Sequence, residues 1–206
     1  MSEDSTTYVV TDVELDGPSP LRHSMLSFAS VAINGRGDLI DTFEAVLTPR
    51  ADRVSDPGTS AWWATEPEAY AEATRDPEPA EVVMPRYAAW VRGLPRLRVF
   101  AARPLTLDAD WIDHYLDAFT GERVLALPRD EDPLFNGSGL DLASFAGALI
   151  GLEHIYSGGD GGAFPADWYG NVPHSHKAID DARGYANVLS RLLEKARNRA
   201  AEGMAS

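Results

Sequence analysis

Five side chains in three separated segments carry the chemistry of this sequence. His176-Lys177-Ala178-Ile179-Asp180-Asp181 opens what reads as the last helix, Asp12-Val13-Glu14 lies on the first strand-like run, and Asp108 opens a helix in mid-chain. Residues i and i+2 of a strand share a face, so Asp12 and Glu14 project together. Two close carboxylates repel unless a proton or a cation lies between them. Hard divalent ions such as Mg²⁺ suit all-oxygen sites and keep waters and phosphate oxygens as further ligands. Four carboxylates, Asp12, Glu14, Asp108 and Asp181, would hold two Mg²⁺ or Mn²⁺ ions about 4 Å apart, the arrangement of two-metal phosphoryl transfer. A histidine with an ordinary pKa near 6.5 is suited to take a proton from water at neutral pH, which gives His176 the role of general base.

Each segment has a competing explanation. The Asp-x-Glu spacing recurs at Asp76-Pro77-Glu78, where proline and polar neighbours indicate a solvated loop. The first copy differs in lying inside an apolar run (Tyr8, Val9, Val10, Val13), where unpaired charge is costly. Asp108 at a helix start also reads as an N-cap. Asp110 would sit in the first turn and Asp113 would look toward solvent. Asp181 falls in line with Ala178, Tyr185, Val188 and Leu192, so it points inward, while Asp180 is rotated about 100° away. His174 is the rival of His176 for the base role. His23, His114 and His154 have no partner pattern and read as structural.

The elements that must position these groups follow from periodicity. Strands are predicted over Tyr8–Glu14, Ser24–Asn34 and Leu39–Leu47, with a hairpin turn at Asn34-Gly35-Arg36-Gly37-Asp38. Helices are predicted over Ser60–Ala73, Pro79–Leu94 (stripe Val82, Val83, Tyr87, Trp90, Val91), Asp108–Phe119, Leu140–Leu152 capped by Ser138 or Asp141, and His176–Arg197. A short buried strand covers Arg98–Ala102. The fold class is therefore α/β: three antiparallel strands, then parallel ones, in a mixed sheet flanked by helices. Length favours one domain over residues 1–206, with its core at about 8–193 and a frayed tail after Arg199.

Trp62 and Trp63 cannot both face one way on a helix, so one is core and the other is open to stacking on an unpaired base. The segment Gly158-Gly159-Asp160-Gly161-Gly162, within a loop over Tyr156–Pro173, reads as a lid or a plain connection. Arg191, Lys195, Arg197 and Arg199 complement the C-terminal end of the helix dipole.

The 206 residues carry 18 Lys+Arg against 32 Asp+Glu, a formal charge of −14, and no cysteine. That charge disfavours a protein that grips long duplexes through a basic footprint. It fits a local site for single-stranded ends or short oligonucleotides, with metal ions supplying the positive charge. Zero cysteines exclude disulfides and thiolate metal sites. No apolar run of about 18 residues is present, so no membrane partner is expected, and the location expected is cytoplasmic. No serine or cysteine occupies a nucleophile turn.

Taken together, the residues resemble the DnaQ-like 3′–5′ exonucleases of the DEDDh group, in the ribonuclease H-like superfamily. Asp-x-Glu on the first strand matches Asp12 and Glu14, and the helix-opening Asp matches Asp108. His-x-Ala-x-x-Asp matches His176, Ala178 and Asp181 at every fixed position. Lys177, four before Asp181, disfavours the tyrosine-type subgroup. The resemblance covers about Tyr8 to Leu193. It implies a ribonuclease H-like sheet and a metal-dependent enzyme that releases nucleoside monophosphates from DNA or RNA 3′ ends. Where members carry Thr-Thr-Gly or Met-Thr-Gly after the Glu, this chain has Leu15-Asp16-Gly17-Pro18. Where an Asn or His precedes the middle Asp, it has Arg103-Pro104, and Arg103 is assigned to phosphate contact. The Trp62-Trp63 stretch with Pro67-Glu68-Ala69 is similar to one in phage-type members. Related enzymes frequently pair up, which leaves a homodimer open. Two alternatives remain: a non-catalytic nucleic-acid-binding scaffold of the same fold, and a phosphodiesterase for short oligonucleotides or dinucleotides.

Overall fold

A computed structural model describes residues 6–125, 127–151 and 164–204. Its elements are β1 (Thr7–Leu15), β2 (Met25–Asn34), β3 (Leu39–Val46), α1 (Pro57–Trp63), α2 (Pro67–Ala73), α3 (Ala80–Gly93), β4 (Arg98–Ala102), α4 (Leu105–Thr120), β5 (Leu140–Asp141), α5 (Leu142–Ile150) and α6 (Ala178–Met204). The sheet order is β3-β2-β1-β4-β5. The β1/β2 and β2/β3 pairs are antiparallel, and β1/β4 and β4/β5 are parallel. This is the mixed sheet that the sequence predicts.

Alternation along β1 sorts its side chains between two cores. Val9 and Val13 face α3 and α4, packing with Phe28, Phe100, Tyr87 and Trp111. Val10 faces the other layer, with Ala29, Ala101, Leu142 and the α6 residues Ala182, Val188 and Leu189. Asp12 and Glu14 share the face of Val10, so they look toward α6. The register then opens the site. Pairing of β1 with β4 runs only from Thr7↔Arg98 to Val10↔Ala101, while pairing with β2 continues to Glu14↔Ser27. The carboxylate-bearing end of β1 therefore projects past β4 into a gap where the chain turns off into α4.

Several local expectations are corrected. The single helix over Ser60–Ala73 is two, interrupted at Thr65-Glu66. Asp56 caps α1 by accepting from the Thr59 amide (2.8 Å), and Pro67 starts α2. Pro67 has no N–H to continue the first ladder, which is why the break falls there. α4 begins three residues before Asp108, at Leu105, so Asp108 lies in the first turn and is not the N-cap. Leu140-Asp141 pairs with β4 before α5 begins, and Asp141 caps α5 by accepting from the Ser144 amide (2.7 Å). Val82 is 51% exposed and leaves the buried stripe of α3. Asp113 does not face bulk solvent: it accepts from Val124 N–H (2.7 Å) and from Arg123, fixing the turn after α4.

α6 continues to Met204, past the predicted end at Arg197. The basic side chains therefore precede its last turn and bind neighbours instead. Arg197 donates to the Gly35 carbonyl (2.6 Å), Arg199 reaches the Ala148 and Leu149 carbonyls, and Lys195 lies over the Trp168 ring. His154, the Gly158–Gly162 segment and the rest of 152–163 lie outside the described residues. No helix among the described residues is long and apolar enough to cross a membrane.

Candidate active site

β1 and α6 meet at a cleft of about 440 Å³ lined by Asp12, Glu14, Arg103, His174, His176, Asp181 and Tyr185. The inward stripe of α6 holds as predicted: Ala178, Asp181, Tyr185, Val188 and Leu192 are all buried, with Asp181 only 5% exposed. Carboxylate oxygens of Asp12, Glu14 and Asp181 lie within 4.8 Å of one another. Thus strand and helix bring three of the four sequence-predicted carboxylates to one point.

Asp108 stands one step back. It is 3% exposed and falls outside that trio. Its Oδ1 accepts from the Val13 amide at 3.2 Å, and its Oδ2 is buried with no hydrogen-bond partner among the described residues. The reason is the truncated β4: Val13 N–H lies beyond the pairing with that strand, and Asp108 satisfies it instead.

The electrostatics express this crowding. Burial first, then repulsion from Asp108, Glu14 and Asp181, pushes the Asp12 carboxyl well above its ordinary range. Burial and the charges of Asp181 and Asp108 do the same to Glu14. Burial raises Asp108 to about 8, opposed in part by the Val13 amide and its own backbone N–H. Such groups ionise together only if a cation compensates them. The unpartnered Asp108 Oδ2 and the all-oxygen trio fit hard divalent ions of the Mg²⁺ or Mn²⁺ kind.

Both histidines reach the cleft. His174 Nδ1 lies 3.0 Å from Asp181 Oδ1, and this bond raises the His174 pKa. Ser175 donates its amide to Asp181 Oδ1 (3.3 Å) and its hydroxyl to Asp180 Oδ2 (2.9 Å), tying the 174–176 segment to the start of α6. His176 adopts a left-handed backbone (φ 53°), a conformation that persists in a non-glycine residue only where the surroundings impose it. Its ring makes no hydrogen bond among the described residues. It is held by ring contacts, edge to face, with His174 (4.5 Å) and Trp62 (5.0 Å). The position of His174 two residues before His176 is the sequence signal for its place in the cleft; its bond to Asp181 depends on how the segment folds over α6.

Trp62 and Trp63 divide as predicted. Trp63 is 4% exposed and donates Nε1–H to the Leu15 carbonyl (2.8 Å), whereas Trp62 is 40% exposed. Asp16, in the Leu15-Asp16-Gly17-Pro18 turn, is buried and accepts from Ser24 N–H and the Ser55 hydroxyl. A Cβ on Gly17 would lie 2.3 Å from the His23 ring, so this turn requires glycine. Arg103 lies over the rings of Phe164 (5.2 Å) and Tyr185 (5.9 Å), and its Nη1 is 3.4 Å from the Tyr185 hydroxyl. His114 packs edge-on against Tyr115, and His23 Nδ1 lies 2.7 Å from the Val54 carbonyl, both away from the cleft.

No family model matches the chain, and no curated protein matches it. Among solved structures it is similar to exonuclease I of E. coli. The complex of that enzyme with a dT13 oligonucleotide superposes with a TM-score of 0.63 at 16% identity, covering 97% of this chain and 43% of that one. The complex with a dA16 oligonucleotide gives 0.63 at 17%, covering 95% and 42%. The zinc-bound form of the exonuclease I–single-stranded DNA complex gives 0.61 at 17%, covering 94% and 41%. The chain thus spans less than half the length of these proteins, and at such identity the likeness is one of fold. The fold is ribonuclease H-like.

Proposed function

We propose that this chain is a metal-dependent 3′–5′ exonuclease that releases nucleoside 5′-monophosphates from single-stranded 3′ ends. The observation that carries the reading is the oxygen trio of Asp12, Glu14 and Asp181 on the cleft floor, backed by the unpartnered Asp108 Oδ2. Asp12, Glu14 and Asp181 would hold two Mg²⁺ or Mn²⁺ ions, with Asp108 completing the set. Bound there, such ions acidify water and stabilise charge on a departing oxygen.

The remaining work falls to side chains. An imidazole nitrogen of His176 takes the proton of the attacking water as its oxygen bonds to phosphorus. The bond from phosphorus to the O3′ of the penultimate nucleotide breaks, leaving a chain one nucleotide shorter with a 3′-hydroxyl. Arg103, clamped on two aromatic rings at the cleft wall, pairs with a non-bridging phosphate oxygen. Trp62 at the rim offers apolar surface to an unpaired base. His176 is assigned as base over His174 because His174 is already engaged by Asp181. Removing a general base typically costs about 10²–10⁴ in rate, so His176→Ala should slow turnover by that order while keeping Mn²⁺ affinity.

The formal charge of −14 favours a second reading with the same chemistry, a phosphodiesterase for very short oligonucleotides, because phosphate contacts along a long strand need a basic footprint. Single-stranded DNA, RNA and dinucleotides, each labelled at the 5′ end and incubated with Mg²⁺, separate the two. A ladder shrinking from the 3′ end supports the exonuclease, and turnover of dinucleotides alone supports the second reading. Internal cuts, or no turnover of any of the three, refute both.

A further inference from the structure

Beside the oxygen trio lies a set of different chemistry. We propose that His174, His176 and Asp181 form a three-ligand site for a zinc-class divalent ion, and that zinc bound there silences the enzyme by engaging His176. The binding half stands on the geometry alone; the silencing half rests on the exonuclease reading above.

One ligand atom from each of the three residues lies within 4.8 Å of the others, and His174 Nδ1 is already 3.0 Å from Asp181 Oδ1. Zinc holds imidazole nitrogens at about 2.0–2.1 Å, which sets neighbouring ligand atoms of a tetrahedral site roughly 3.3 Å apart. Closing from separations of at most 4.8 Å asks only small rotations of rings on an open segment, since the His174 side chain is half exposed. Two imidazoles are borderline donors that, beside one carboxylate, favour zinc over Mg²⁺, which prefers oxygen alone. Three protein ligands leave a fourth position for water.

The surroundings support a built site. Ser175 anchors the segment between the histidines to Asp180 and Asp181, so both rings project over the start of α6 from residues two apart. The Trp62 ring closes one side of His176 at 5.0 Å, an apolar flank of the kind that limits solvent at metal sites. Asp181 belongs to both sets, so zinc at the histidines draws on a carboxylate that the oxygen trio also uses. It also removes the imidazole lone pair that accepts the water proton.

The test is a zinc titration of the full chain by calorimetry, with the histidine ring resonances followed in parallel. About one equivalent should bind, and the rings of His174 and His176 should shift together. His174→Gln, with His176→Gln as second variant, should weaken zinc at least about ten-fold and leave Mn²⁺ affinity within about two-fold. Asp12→Asn should show the opposite pattern. The proposal is overturned if zinc fails to bind at roughly 0.1 mM. It is equally overturned if zinc affinity ignores both histidine variants and falls only with Asp12→Asn, which would put the ion among the carboxylates. In Mg²⁺-supported turnover, the zinc concentration for half inhibition should rise about ten-fold in His174→Gln, each rate taken relative to that variant's own zinc-free rate. Zinc bound at the histidines without inhibition overturns the silencing half. A wild-type chain with no nuclease turnover overturns the exonuclease reading and silencing together, while the binding result still decides the site.

Discussion

Asp108 and Val13 are joined by one hydrogen bond, 3.2 Å from the Val13 amide to Oδ1, while the second oxygen of Asp108 is buried with no partner among the described residues. The bond explains how a helix and a strand that are 95 residues apart are held in register at the cleft. It also fixes a buried carboxylate close enough to Asp12 and Glu14 to raise their pKa values. Replacing it by Asn keeps an acceptor for Val13 and removes the buried charge. Asp108→Asn should therefore raise the melting temperature of the metal-free chain at pH 8, and slow turnover by about 10–100-fold, the usual cost of removing a supporting group behind metal ligands. An unchanged rate would mean that Asp108 serves only the backbone.

The buried carboxylates set a pH dependence of stability. Asp12, Glu14 and Asp108 have folded-state pKa values above the unfolded value near 4, with Asp108 at about 8. Between those limits the folded chain binds more protons than the unfolded one, so stability falls as pH rises. Metal-free protein should melt at a lower temperature at pH 8 than at pH 5. Mn²⁺ at about 100 times its dissociation constant should add about 2.7 kcal/mol, roughly 5–11 °C for a chain of this size. The gain should be larger at pH 8 than at pH 5, where protons already compensate the site. A melting series with and without Mn²⁺ checks it, and a gain independent of pH would contradict the electrostatics.

The tandem tryptophans should separate stability from turnover. Trp63 is core and bonded to Leu15, so Trp63→Ala should cost about 3–5 kcal/mol, lowering the melting temperature by roughly 6–20 °C. Trp62 packs edge-on against His176, a contact worth about 0.5–1.5 kcal/mol. Trp62→Ala should lower the melting temperature by only roughly 1–6 °C and reduce kcat by up to about ten-fold, with Trp62→Phe restoring part of it. An effect on KM alone would leave Trp62 only its contact with an unpaired base and no part in steadying the histidine.

Much of this is legible in the sequence. The three antiparallel strands follow from alternation and one hairpin turn, and the inward stripe of α6 from a 3.6-residue period that includes Asp181. What escaped lies in pairings that no local period records. β5 is two residues long and exists only because β4 lies beside it. Asp113 looks solvated by helical spacing but is claimed by Arg123 and Val124 after the helix ends. Asp108 reads as a cap from its position, because the amide it satisfies belongs to a strand far away in sequence. His174 is named by spacing as the neighbour of His176, but its bond to Asp181 requires the turn that Ser175 makes over α6.

Mn²⁺ calorimetry on folded wild-type, Asp12→Asn and Asp181→Asn chains tests most directly whether the oxygens of Asp12, Glu14 and Asp181 act together on divalent ions. Wild type should bind Mn²⁺ below about 1 mM, and each variant should lose at least about ten-fold in affinity along with turnover of a labelled oligonucleotide. Equal Mn²⁺ affinity in all three chains would contradict it.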